Sequence, residues 1–190
     1  MPHQSQAEYP SAMEILKIIN EYASKEGKAF IVIGGHALNA HGISRTTGDL
    51  DLMVARSDCA FWENFLSSLG YTIFQKTSAF IQSKAPSIAA WSIDLMLVDE
   101  STMSKALHEA IMYNHGGPVV PTASVSHLLA MKLHALKSNA PHRTQKDLGD
   151  LLELIKIKGL PPESREFRQL CLKYANLDVY ERIIILNKKQ

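Results

Sequence analysis

Hydrophobic and polar positions along this chain follow helical and strand-like periods in turn, and the balance between the two changes partway along. Met13, Leu16, Ile19 and Tyr22 recur at helical spacing, so a helix is predicted from a Ser11 cap to about Glu26, stopped by Gly27. The unbroken apolar run Ala29–Ile33 predicts a buried strand ended by Gly34-Gly35, and a short helix follows from His36 to about His41. A strand is predicted over Leu50–Ala55. Next come a helix capped by Ser57 or Asp58 and broken at Gly70, and a strand over Tyr71–Lys76. Two further extended pieces are Ala79–Ser83 and Ile88–Val98. From Ser101 onward the helical period dominates, at about 101–114, 124–138, 143–158, 163–175 and 178–187.

These elements predict an α/β (α+β) fold, a mixed sheet flanked by helices and followed by a helical C-terminal region. Gly116-Gly117-Pro118 marks the expected boundary between a core at 1–115 and the helical region at 116–190, with residues 1–10 as a loose leader. At 190 residues the chain has room for one domain with a real core, or a domain with a helical appendage. Its 46% hydrophobic and 21% charged residues are ordinary for a soluble protein. A net charge of +1 offers no global attraction to nucleic acid. Cys59 and Cys171 have no paired spacing, which suggests a reducing compartment and argues against a zinc ribbon. No apolar run approaches the ~18–20 residues of a membrane span, and MPHQSQAEYP lacks the apolar core of a signal peptide. The expected location is cytoplasmic.

Chemistry enters at Asp49 and Asp51, one residue apart within an apolar strand. Both carboxylates emerge on one face while Leu50 and Leu52 turn to the other. Like charges held this close repel, and buried carboxylates are costly to desolvate, so a cation between them is implied. Ile93-Asp94-Leu95 adds a third carboxylate on another apolar strand. An oxygen-only cluster of this charge suits Mg²⁺. Two such ions on three aspartates form the clamp used for in-line phosphoryl or nucleotidyl displacement. Asp49 and Asp51 would bridge the ions; Asp94 would serve the nucleophile side and take the hydroxyl proton.

The Gly34-Gly35 turn lets backbone N–H groups approach an anion without interference from a Cβ. It is neither a Walker A loop nor a G-x-G-x-x-G fingerprint. Arg45 and Thr47, just before the aspartates, have the donors that phosphate oxygens accept from. Lys132 lies on an apolar helix, placed either to snorkel or to reach a triphosphate as a point charge. The eight histidines include the pairs His36/His41 and His127/His134, which lack cysteines and the H-E-x-x-H arrangement, so structural roles are expected rather than zinc. Met96, Met103, Met112 and Met131 read as core filler.

Ile33-Gly34-Gly35, then Asp49-Leu50-Asp51, then Ile93-Asp94-Leu95 resemble the pattern of the nucleotidyltransferase superfamily, with its DNA-polymerase-β-like fold. The stretch GGHALNAHGISRTTGDLDLMV is similar to bacterial minimal nucleotidyltransferases and AbiEii-type toxins of toxin–antitoxin systems. VPTASVSHLLAMKLHALKSNAPHRTQKDLGDLLEL resembles their later motif, on Lys132, Arg143, Lys146, Asp147 and Asp150. Gly35 stands where many members carry serine, and nothing after about Gly159 matches.

The resemblance implies an NTP substrate, an NMP moved to an acceptor hydroxyl, and a nucleotide pocket that includes Lys146 and Asp147. It implies that the helical region completes the nucleotide and acceptor cleft. The acceptor stays open among tRNA, protein and an antibiotic-type small molecule; the resemblance tilts toward the toxin-like branch, whose partner is a cognate antitoxin. The reading from another class is a catalytically silent binding or antitoxin module.

Overall fold

The computed structural model describes residues 12–87, 90–138 and 141–188, so the leader and the Ser11 cap lie outside the described residues. They form two units: residues up to 36 with Thr46–Thr122, and Ala37–Arg45 with the chain from Ala123 on.

In the first unit, α1 (Ala12–Lys25) turns Ile15, Leu16, Ile19 and Ala23 inward. It ends in a Schellman turn at Gly27 (φ 62°), where the Lys28 N–H donates to the Ala23 carbonyl at 2.8 Å. The strands are β1 (Phe30–Val32), β2 (Asp49–Ala55), β3 (Thr72–Lys76), β4 (Phe80–Lys84), β5 (Ser92–Val98), β6 (Ile111–Asn114) and β7 (Val119–Thr122). They form one mixed sheet in the order β3-β4-β5-β2-β1-β7-β6. The pairs β2–β5 and β1–β7 are parallel and the rest antiparallel.

One face of this sheet is the core. Leu50, Leu52 and Val54 alternate with the acidic positions of β2, and Ile93, Leu95 and Leu97 do the same on β5. They pack with the inner face of α1 and with Trp62, Phe65 and Leu66 of α3 (Cys59–Ser68). Each such side chain contributes roughly 1.5–3 kcal/mol when fully buried. The register of β2 is therefore strongly specified, because a one-residue slip would put Asp49 and Asp51 into the core.

The helix expected over 101–114 is shorter. Asp99 caps α4 (Glu100–Glu109), accepting from the Thr102 N–H at 2.9 Å. Asp99 also accepts from the Ser101 and Thr102 hydroxyls, and these bonds hold its carboxyl well below the usual range. Ala110 is extended, and residues 111–114 form a strand instead. Nor does the sheet stop at Gly116-Gly117-Pro118, which form the turn of the β6–β7 hairpin. The Asn114 side chain accepts from the N–H groups of Gly116 and Gly117, and Gly116 takes φ 89°. Glycine and proline mark hairpin turns as readily as linkers, and a four-residue strand is too short for its period to declare itself.

The second unit is helical. The chain enters it within α2 (Gly34–Ala40), two residues earlier than the helix predicted at His36, and leaves it at Arg45. α5 (Val125–Lys137), α6 (Pro141–Lys158), α7 (Arg165–Tyr174) and α8 (Leu177–Asn187) follow. Ser124, Ser164 and Asn176 cap α5, α7 and α8 by accepting N–H bonds from His127, Phe167 and Val179. Leu133, Leu151, Leu154, Phe167 and Ile183 are fully buried. No helix among the described residues is long and apolar enough to cross a membrane.

Candidate active site

The parallel pairing of β2 with β5 sets Asp51 directly against Asp94 and Asp49 against Ser92. All three aspartates therefore share the sheet face opposite the core, with neighbouring strands about 4.8 Å apart. Asp49 is exposed; Asp51 and Asp94 are half-buried. The sequence places the three on two strands, and the structure makes those strands adjacent and in register.

The two glycines pack against this strand. Gly34 holds φ 63°, and a methyl group there would overlap the Asp51 carboxylate, 2.7 Å from its Cγ. A methyl on Gly35 would lie 2.7 Å from Thr47 Cβ. Thr47 in turn donates to the Asp49 carbonyl at 3.1 Å, and the Ile33 N–H donates to the Asp51 carbonyl at 3.0 Å. Glycine is thus required at 34 twice over, by its backbone angle and by the carboxylate it makes room for. Gly34, Gly35, Thr47, Asp49, Asp51 and Asp94 form one neighbourhood within the first unit.

Among the described residues, no three His, Cys, Asp or Glu side chains converge closely enough to hold one ion as they stand. By its chemistry the set fits a hard cation. It offers oxygen donors only, two of them register partners, beside two glycines whose missing side chains leave the space that Asp51 and Thr47 fill. Gln82, on β4 opposite Asp94, donates from Nε2 to Asp94 Oδ2 at 2.9 Å. Sequence reasoning missed Gln82; the signal was a polar residue in mid-strand on the alternation of Phe80-Ile81-Gln82-Ser83.

Arg45, Lys132 and Asp147 belong to the second unit, where they meet Asp150. The Lys132 ammonium lies 2.7 Å from Asp147 Oδ1 and 2.6 Å from Asp150 Oδ2. Arg45 Nε lies 3.5 Å from Asp150 Oδ1, and its buried Nη2 has no hydrogen-bond partner among the described residues. Asn39 pins the Arg45 backbone, accepting from its N–H at 2.7 Å and donating to its carbonyl at 3.0 Å. Lys132 is therefore neither a snorkelling surface lysine nor a free point charge. Lys146 is exposed, one residue from Asp147 and on a different side of α6. The Arg143 side chain lies outside the described residues.

His36 and His115 form a second polar cluster in the first unit. His36 is 7% exposed, with its ring 5.3 Å from that of Trp91 and 6.2 Å from that of His115. Its Nε2 has no hydrogen-bond partner among the described residues. His115 Nε2 and Thr122 Oγ1 are hydrogen-bonded at 2.9 Å, and the Thr122 hydroxyl also lies 3.3 Å from the Val120 carbonyl.

Burial lowers both imidazoles, and the neighbouring His36 helps hold His115 down to about 4. The unfolded chain takes up protons near pH 6.5, before the folded one does. Stability present above that pH is therefore lost progressively as pH falls toward 4. The urea midpoint is expected to fall between pH 6.5 and 4, and His115→Asn to flatten that slope. An unaltered slope in the variant would place the loss elsewhere.

No protein-family model matches the chain, and no curated protein matches it in sequence. Solved structures do match its fold. ANT(2″)-Ia in complex with adenylyl-2″-tobramycin superposes with a TM-score of 0.62 at 14% identity, over 84% of this chain and 94% of that one. An antigenic nucleotidyltransferase-like protein from Paracoccidioides brasiliensis gives 0.54 at 16% identity, over 84% of each chain. The lincosamide antibiotic adenylyltransferase LnuA, bound to lincomycin, gives 0.51 at 14%, over 75% and 95%. The fold is thus of the nucleotidyltransferase type.

Proposed function

We propose that this chain is a Mg²⁺-dependent nucleotidyltransferase that moves an NMP from an NTP to an acceptor hydroxyl. The observation that carries the reading is the in-register pair Asp51 and Asp94, with Asp49 on the same sheet face and Gly34 packed beneath the Asp51 carboxylate. Asp49, Asp51 and Asp94 would hold Mg²⁺, two ions in all, which supplies charge neutralisation on the triphosphate and a lowered hydroxyl pKa. Gly34 and Gly35 would bring backbone N–H groups to the phosphates, and Thr47 would hold the loop beside them. Asp94 would take the hydroxyl proton as the acceptor oxygen bonds to the α-phosphorus. The bond from that phosphorus to the bridging oxygen breaks, and pyrophosphate leaves. Arg45, Lys132, Lys146 and Asp147 would serve the nucleotide; of these, Lys146 is exposed, and its ammonium would meet phosphate.

Fold likeness to ANT(2″)-Ia and LnuA, whose structures hold an adenylylated antibiotic and an antibiotic, favours a small-molecule hydroxyl and ATP. The second reading is a toxin acting on tRNA or protein and held in check by an antitoxin. It rests on the stretch GGHALNAHGISRTTGDLDLMV. A catalytically silent module has less support, because all three carboxylates are present.

The test is incubation with each α-³²P-labelled NTP, Mg²⁺ and cell lysate, followed by fractionation into RNA, protein and small molecules. Label transferred from one NTP into one fraction, abolished by EDTA, is the expected result. No transfer to any fraction, with any NTP, would sink the enzymatic reading.

A further inference from the structure

The row of residues that carries the aspartates extends one strand further than the motifs do. Gln82 on β4 is the register partner of Asp94 on β5, which is the register partner of Asp51 on β2. The Gln82 side chain donates to Asp94 Oδ2 at 2.9 Å. Its chain neighbours Ile81 and Ser83 are 0% and 1% exposed on the opposite face, and the Ser83 hydroxyl donates to the Ile93 carbonyl, so β4 is anchored where the amide must reach.

We propose that Gln82 is a positioning residue for the third carboxylate, setting the rotation of the Asp94 side chain toward a divalent cation and the acceptor hydroxyl. This inference rests on the nucleotidyltransferase reading above. A neutral amide is the donor suited to the task. It occupies one lobe of the carboxylate while leaving its charge intact, whereas a lysine or arginine there would neutralise the carboxylate and compete with the cation. Ligating carboxylates are generally held by such outer hydrogen bonds, and losing one costs about 10–100-fold in metal affinity or activity.

The experiment compares the full-length wild type with Gln82→Leu, Gln82→Asn and Asp51→Asn. Mn²⁺ binding is followed through the free-ion EPR signal, beside kcat, KM for the NTP and the melting temperature. Gln82→Asn keeps the amide but withdraws it by about one methylene, so it carries the test if the leucine variant folds poorly. Both Gln82 variants are expected to bind Mn²⁺ about tenfold or more weakly. Their kcat should fall about 10–100-fold while KM for the NTP changes little. Wild-type Mn²⁺ affinity and kcat in both variants, with Asp51→Asn impaired, would overturn the role of Gln82 and leave the site reading standing. Asp51→Asn binding Mn²⁺ as tightly as wild type would overturn the cation site itself, and this inference with it.

Discussion

Asp51→Asn is expected to abolish nucleotide transfer while leaving the chain folded and no less stable than wild type. The substitution keeps the shape of the side chain that packs over Gly34, so the turn that needs glycine at 34 is undisturbed. It removes one of two carboxylates that face each other in register across β2 and β5. Like charges directly opposite on neighbouring strands are destabilising, by an amount comparable to the roughly 0.2–1 kcal/mol of a favourable cross-strand pair. Without a bound cation the variant should therefore melt at or slightly above the wild-type temperature. Catalysis should fall by about 10³-fold or more, on the order of 4 kcal/mol of transition-state stabilisation, because the cation loses an anionic ligand where charge develops. Initial rates of α-³²P transfer and a thermal melt without divalent ion check both halves. A folded Asp51→Asn chain that transfers nucleotide at the wild-type rate would disprove the assignment.

The aspartates were legible because each contradicts its surroundings. A charge within Leu50-Asp51-Leu52 or Ile93-Asp94-Leu95 has no packing reason to be there, and strand alternation gives its direction. What alternation cannot give is which strands pair and in what register, so the direct opposition of Asp51 and Asp94 came only from the three-dimensional structure. Gln82 shows in the sequence only as a polar residue in mid-strand, because its partner Asp94 lies on the neighbouring strand. The β6–β7 hairpin was hidden by its brevity and by its position, since β6 follows α4 after the single extended residue Ala110.

In the helical unit, Lys132, Asp147 and Asp150 were picked out through a resemblance, yet the way they neutralise one another could not be read. Partners on α5 and α6 are separated by the crossing of two helices, and no sequence period reports a crossing. The Nε2 of His36, with no hydrogen-bond partner among the described residues, left no trace in the sequence either.

The ion network on α5 and α6 carries the largest expected effect on stability. Lys132→Met should destabilise the helical unit by about 3–5 kcal/mol, the cost of leaving buried carboxylates without their counter-charge. Asp147 and Asp150 are 8% and 4% exposed, and among the described residues the other cation paired with them, Arg45, lies 3.5 Å from Asp150. Methionine matches the stem of lysine closely enough that lost packing contributes little, so the measured loss is that of the charge. Lys146→Met is the contrast: that side chain is exposed, and its loss should move stability by no more than about 0.5 kcal/mol. Urea unfolding at pH 7 by linear extrapolation resolves the two. If Lys146 meets the triphosphate, Lys146→Met raises KM for the NTP without altering the unfolding curve. Lys132→Met loses stability first, with activity failing as the unit unfolds. A Lys132→Met chain as stable as wild type would show that the two carboxylates are not held by this ammonium, and would return Lys132 to the nucleotide side alone.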